Sequence, residues 1–213
     1  MLPAERREQE RLVLRQTILD TARRLFAELG PDQVTMRGIA AAIGYTATTL
    51  YHHFPDKQAL LNELCAGDFA ALRQGFAVAG NVTDPLARLR AVGTQYAAFA
   101  AAHPHHYRLM FMTRLSESEV TAMKSACPIE QGNPTQDAYA FLLQCVHQAI
   151  AEGRLGPAWH EAQLTAQTLW AGIHGVIALH LDKGNDPWVP WCPIEQRVTA
   201  TLDALMQGIE ARP

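Results

Sequence analysis

Through nearly the whole chain, apolar residues return at three- and four-residue spacings, and no stretch alternates cleanly as a strand would. Leu14, Ile18, Ala22, Leu25 and Leu29 fall on one stripe of a first helix. Gly30-Pro31 ends it, because glycine accepts a left-handed cap and proline cannot continue the ladder. Thr35 is placed to cap a second helix whose Met36, Ile39, Ala40 and Ile43 share one face. Gly44 stops that helix. A very short third one turns Ala47, Leu50 and Phe54 inward and closes at Pro55, and Asp56 caps a long fourth bearing Leu60, Leu61, Leu64, Leu72 and Phe76. Asp84-Pro85 opens a helix that runs to Ala102, where His103-Pro104 breaks the chain. A short helix follows through "HHYRLMFM", and "SESE" from Ser116 reads as a capping box for another. Three longer helices are expected over about 135–152, 160–181 and 193–209. The fold class is all-α.

Composition narrows the functional classes. Apolar residues make up 48% of the 213, enough for a substantial core, and the net charge is −3. Residues 1–60 hold eight basic and seven acidic side chains, so no strongly basic tract announces a polyanion partner. The N-terminus is charged and shows no secretory signal, and no run of about 18 apolar residues would span a membrane. A cytoplasmic location follows as an expectation. The four cysteines (Cys65, Cys127, Cys145, Cys192) are far apart and read as reduced, mostly buried thiols.

Between Thr35 and Leu61 the sequence reads "TMRGIAAAIGYTATTLYHHFPDKQALL". Two helices joined by a glycine turn, the second short and poor in long side chains, suggest a helix-turn-helix. A recognition helix must enter the major groove closely enough for side chains to reach base edges. Small residues permit that approach, and threonine offers both a hydroxyl and a methyl. A solvent-facing turn between two core helices has the same spacing.

The stretch resembles the DNA-binding signature of the TetR family of bacterial transcriptional regulators. Thr35, Ile39, Ala40, Gly44, Leu50, Tyr51, His53, Phe54, Lys57 and Leu60 fill the family pattern without a gap. The resemblance implies an N-terminal three-helix DNA-binding domain at 1–57 and a helical ligand-binding and dimerisation domain at 58–213. It implies a cap and phosphate contact at Thr35 and a base or backbone contact at Arg37. By the same resemblance Tyr45, Thr46, Ala47, Thr48 and Thr49 would take the sequence-reading positions, Tyr51, His53 and Lys57 would form a phosphate clamp, and His52 would read a base or a phosphate. The arm residues Arg6, Arg7, Arg11 and Arg15 either add positive charge or pair with Glu5, Glu8 and Glu10 along a solvated helix.

Residues 66–213 carry no catalytic motif, and the histidines at 103, 105 and 106 have no cysteine or carboxylate at metal-ligand spacing, so neither an enzyme nor a metal or other cofactor is expected. "LWAGIHGVIAL" places Trp170, His174, Ile177 and Leu181 on one helix face. Its Trp-x-x-x-His-Gly run resembles the "WHG" C-terminal subfamily of TetR regulators. The TetR resemblance as a whole implies a homodimeric repressor on a double-stranded palindromic operator, nucleoid-associated when bound and released by a small apolar effector. Tyr96, Phe99, Tyr107, Met110, Phe111, Cys145, Trp170 and His174 are the candidate ligand-binding residues, although an ordinary core would use the same set. Dimerisation is expected through the last two helices, with Gly172 and Gly175 allowing close approach and Val198, Leu202, Leu205 and Ile209 forming an apolar stripe.

Overall fold

A computed structural model describes residues 3–211. Helix α1 (Pro3–Leu29) is followed by a 3-10 turn (Pro31–Gln33), α2 (Met36–Ala42), α3 (Ala47–Tyr51) and α4 (Lys57–Gly75). Next come α5 (Ala77–Gly80), α6 (Pro85–Ala102), α7 (Pro104–Phe111), α8 (Glu117–Ala126) and α9 (Ala138–Ala151). A 3-10 turn (Pro157–Trp159), α10 (Ala162–Lys183) and α11 (Ile194–Ile209) complete the order. Among the described residues there is no sheet, only an isolated bridge between Leu155 and Glu210.

Local capping sets most of the boundaries. Thr35 and Thr46 accept from Gly38 N and Thr49 N at the starts of α2 and α3. Asp84 accepts from Ala87 N, and Ser116 with Glu119 completes a reciprocal capping box. Gly30 and Gly44 adopt φ of 81° and 74°, a region costly for any residue with a Cβ. Two elements depart from the sequence expectation. The helix expected from 135 begins at Ala138, because the Asp137 carboxylate accepts from Tyr139 N and Ala140 N while Thr135 is bonded to Asn133. The short α5, after Phe76, has no cap or periodic signal of its own.

The chain forms two compact units. One holds the residues up to Asp68 together with His105–Pro128, and the other holds Phe69–Pro104 and the residues from Ile129 onward. In the first unit Ile18, Phe26, Ile39, Leu50, Phe54 and Leu61 share one buried cluster, joined by Leu64 and Cys65 of α4 and Leu109 of α7. By packing, then, α4 continues with the first unit eleven residues beyond the position-57 boundary suggested by the family resemblance.

A polar cluster lies inside that unit. The Asp68 carboxylate, 1% exposed, accepts from Arg23 Nη2 at 2.9 Å and from Arg23 Nε at 3.1 Å. His106 Nδ1 lies 3.0 Å from the same carboxylate, and Arg23 Nη1 reaches Asp20 at 2.8 Å. Three helices, α1, α4 and α7, are thereby tied at one buried anion. Isolated, that charge would be prohibitively costly to bury.

In the second unit α6, α9, α10 and α11 pack together. The last helix is keyed into two glycine notches. A Cβ on Gly93 would sit 2.5 Å from Leu202 Cδ2, and one on Gly172 would sit 2.8 Å from Leu205 Cδ1. Val198, Leu202, Met206 and Ile209 are buried within the protomer. The stripe expected to face a second subunit is therefore consumed by the chain's own core, with only Leu205 half-buried. Gly172 serves this internal contact. A Cβ on Gly175 would meet nothing within 4 Å. The thiols also divide: burial pushes Cys65 up to about 12 and Cys145 up to about 11, whereas Cys127 is half-buried and Cys192 exposed.

Candidate nucleic-acid interface and ligand-sensing residues

Gly44 N and Tyr45 N bond back to Ala41 O and Ala40 O, which closes α2 and turns the chain into α3. Ala47 and Leu50 face inward and, with buried Phe54, anchor the short helix. Thr48, Tyr51 and His52 then occupy its outer side at spacings of three and one, all exposed, with exposed Tyr45 preceding them. Arg37 is exposed on α2. Most of the sequence-predicted DNA residues are thus exposed. Ala47 is half-buried and belongs to the packing.

Several of the remaining residues hold the fold. Thr35 Oγ1 accepts from Gly38 N at 3.0 Å, leaving its own O–H as a donor. Lys57 Nζ donates to Pro31 O at 2.7 Å, clamping the start of α4 onto the 3-10 turn; its other N–H groups are not used by that bond. His53 Nδ1 is buried without a hydrogen-bond partner among the described residues. Burial, followed by the charges of Arg11, Arg15 and His52, lowers its pKa, so the ring is neutral at pH 7.

The arm is a helical extension laced by ion pairs. Arg6 pairs with Glu10 at 2.8 Å and Arg11 with Glu8 at 2.7 Å. Arg15 grips Glu63 through both guanidinium nitrogens and lies 4.6 Å over the Phe54 ring. Among the described residues, Arg7 and Arg37 have no ion pair, which leaves both guanidinium groups available to a phosphate.

The candidate ligand residues fall in both units. Tyr107, Met110 and Phe111 belong to α7, where Tyr107 is fully buried and its ring lies 5.0 Å from that of Phe111. Tyr96, Phe99 and Cys145 are buried in the second unit. There Trp170 Nε1 donates to Tyr96 Oη at 2.9 Å, and that hydroxyl lies 3.3 Å from His174 Nδ1. Burial lowers the His174 pKa, so a neutral imidazole meets the tyrosine hydroxyl. Tyr139 packs its ring 6.1 Å from Trp170 and donates to Gln163 at 2.7 Å. Sequence periodicity placed Trp170 beside His174 and Tyr96 was among the candidates, but nothing in the sequence joins its hydroxyl, 74 positions from Trp170, to that pair. Asp68 was missed; a carboxylate four residues after Leu64 on the core face of α4 was the available signal.

The sequence profile of bacterial regulatory proteins of the tetR family matches residues 18–64, and that of the tetracyclin repressor-like C-terminal domain matches residues 89–205. The chain belongs to the TetR family. This family and the relatives below are transcriptional regulators, not enzymes. The TetR chain is 34% identical over 144 residues to the HTH-type transcriptional repressor KstR2 of Mycobacterium tuberculosis, covering 66% of this chain and 68% of that protein. It is 42% identical over 76 residues to the HTH-type transcriptional repressor Rv1474c of the same organism, covering 34% of this chain but only 41% of the relative. Among solved structures, a protein of unknown function from Rhodococcus sp. RHA1 matches with a TM-score of 0.70 at 25% identity over 93% of this chain and 96% of that one. The ketosteroid transcriptional regulator KstR2 of M. tuberculosis has the same fold, with a TM-score of 0.69 at 21% identity over 93% and 95%. Among the described residues, no helix is long and apolar enough to cross a membrane.

Proposed function

We propose that this TetR regulator is a ligand-released repressor that binds a palindromic operator as a homodimer in the bacterial cytoplasm. The observation that carries the reading is the exposed face of α3, where Thr48, Tyr51 and His52 stand clear of a short helix pinned by Leu50. Thr35, Arg37, Tyr45, Tyr51, His53 and Lys57 supply the surrounding contacts. One such helix reads too few base pairs for useful specificity, which favours two copies on a two-fold site. The repressor names of KstR2 and Rv1474c support the sign of regulation.

Arg37→Ala is expected to weaken binding to every DNA sequence. It also flattens the dependence of log affinity on log salt by about 0.9 for each phosphate that is no longer neutralised. Binding of the purified protein to the region upstream of its own gene, measured by fluorescence anisotropy across a salt series, checks both. Absence of salt-sensitive binding by the wild-type protein would overturn the function.

Since the α11 stripe is internal, the outward face of α10 takes its place as the proposed dimer surface. Leu164 and Leu179 are about half exposed there, with Ala171 exposed and Gly175 open between them. Ala171→Arg is expected to yield monomers at micromolar concentration by light scattering while leaving the helical spectrum unchanged. A dimer of unchanged stability would rule this face out. The effector is proposed to be a mainly apolar small molecule, met in the second unit by Trp170 and His174 with Tyr96 between them. That KstR2 is a ketosteroid transcriptional regulator is compatible with an effector of that character. Release requires the effector to bind one conformation better, by about 1.4 kcal/mol for each tenfold loss of operator affinity.

A further inference from the structure

The threonines of α3 are equivalent in sequence but not in structure. The helix has only five residues, too few to hold itself by its own ladder. Its first turn is held by side chains. Thr46 Oγ1 accepts from Thr49 N at 3.3 Å, and the two hydroxyl oxygens lie 3.0 Å apart in a second hydrogen bond. Thr49, one member of that pair, is half-buried. Thr48 is exposed, forms no side-chain hydrogen bond among the described residues, and shares its face with Tyr51 and His52.

Resting on the operator-binding reading above, we propose that Thr48 is the specificity-determining threonine of this regulator, and that Thr49 is a positioning residue whose hydroxyl, paired with Thr46, sets the first turn of α3. The Thr49 hydroxyl keeps capacity for a further hydrogen bond, but its half-buried position and its pairing with Thr46 hold it in the direction that orders the turn. Thr48 has both its hydroxyl and its methyl to offer. The hydroxyl can donate to or accept from a base edge in the major groove, and the methyl fits against the C5-methyl of thymine. Two substitutions separate these contributions. Thr48→Val keeps a methyl in a similar shape and removes the hydroxyl, whereas Thr48→Ser does the reverse.

The experiment is selection of operator half-sites from a randomised duplex library by wild type and by the Thr48→Val, Thr48→Ser, Thr49→Val and Thr49→Ser variants. Affinities are then measured on the selected sites. Thr48→Val and Thr48→Ser are expected to change base preference at one position in each half-site, by roughly five- to hundredfold in the affinity ratio. Thr49→Val is expected to weaken all sequences alike with the preference profile unchanged, and Thr49→Ser, which keeps the hydroxyl pair, is expected to restore wild-type affinity. A changed profile in Thr49→Val, or an unchanged one in both Thr48 variants, overturns the assignment. Failure of the wild-type protein to select any site overturns the operator-binding reading itself, which is a different result.

Discussion

Replacing Asp68 by alanine is expected to destabilise the first unit by about 3–5 kcal/mol, the usual consequence of removing one partner from a buried ion pair. Arg23 is 8% exposed, and its guanidinium donates to both Asp68 oxygens. Without the carboxylate, Asp20 remains as a single partner at 2.8 Å, and His106 loses its neighbour at 3.0 Å. Most of the destabilisation comes from the stranded cation rather than from the bonds themselves. Asp68→Asn keeps the shape and one acceptor, so it should cost less than alanine. Denaturant unfolding followed by circular dichroism measures both. A destabilisation below about 1 kcal/mol for Asp68→Ala would mean that Arg23 finds water, and that the cluster contributes little to holding α1, α4 and α7 together.

The second large effect is expected at Leu202. It is 5% exposed and fills the notch left by Gly93 on α6. Leu202→Ala should destabilise the second unit by about 2–5 kcal/mol, from the forfeited transfer of the isopropyl end of the side chain plus the cavity left behind. The outcome also separates two roles of α11. If the stripe is internal, as the burial of Val198, Met206 and Ile209 indicates, the variant unfolds more easily but the folded protein keeps its oligomeric state. If light scattering showed folded monomers at unchanged unfolding free energy, Leu202 would be an intersubunit residue after all.

The α11 stripe shows why the sequence was readable in one respect and silent in another. Residues 198, 202, 205 and 209 disclose that a helix has an apolar side, because side-chain direction follows from the 3.6-residue period alone. They do not disclose what covers that side. Only the packing of α11 against α6 and α10 assigns it to the same chain, and the notches at Gly93 and Gly172 are what make the fit close. The same distinction holds at the DNA surface. Every residue of the family pattern could be numbered from the sequence, yet Thr46, Thr48 and Thr49 looked alike until the hydroxyl pair separated them.

What the sequence determined by itself was the run of helices and the family. Caps, glycine turns and proline starts act within about four residues, so Thr35, Gly44, Asp84-Pro85 and the Ser116–Glu119 box set their boundaries wherever the chain goes next. The tertiary structure decided which polar groups meet. Arg23 and Asp68 are 45 residues apart, Lys57 and the Pro31 carbonyl 26, and Tyr96 and His174 78. No local rule links such pairs. They form because hydrophobic burial brings their helices together, and a polar group carried into that interior costs free energy until it finds a partner there.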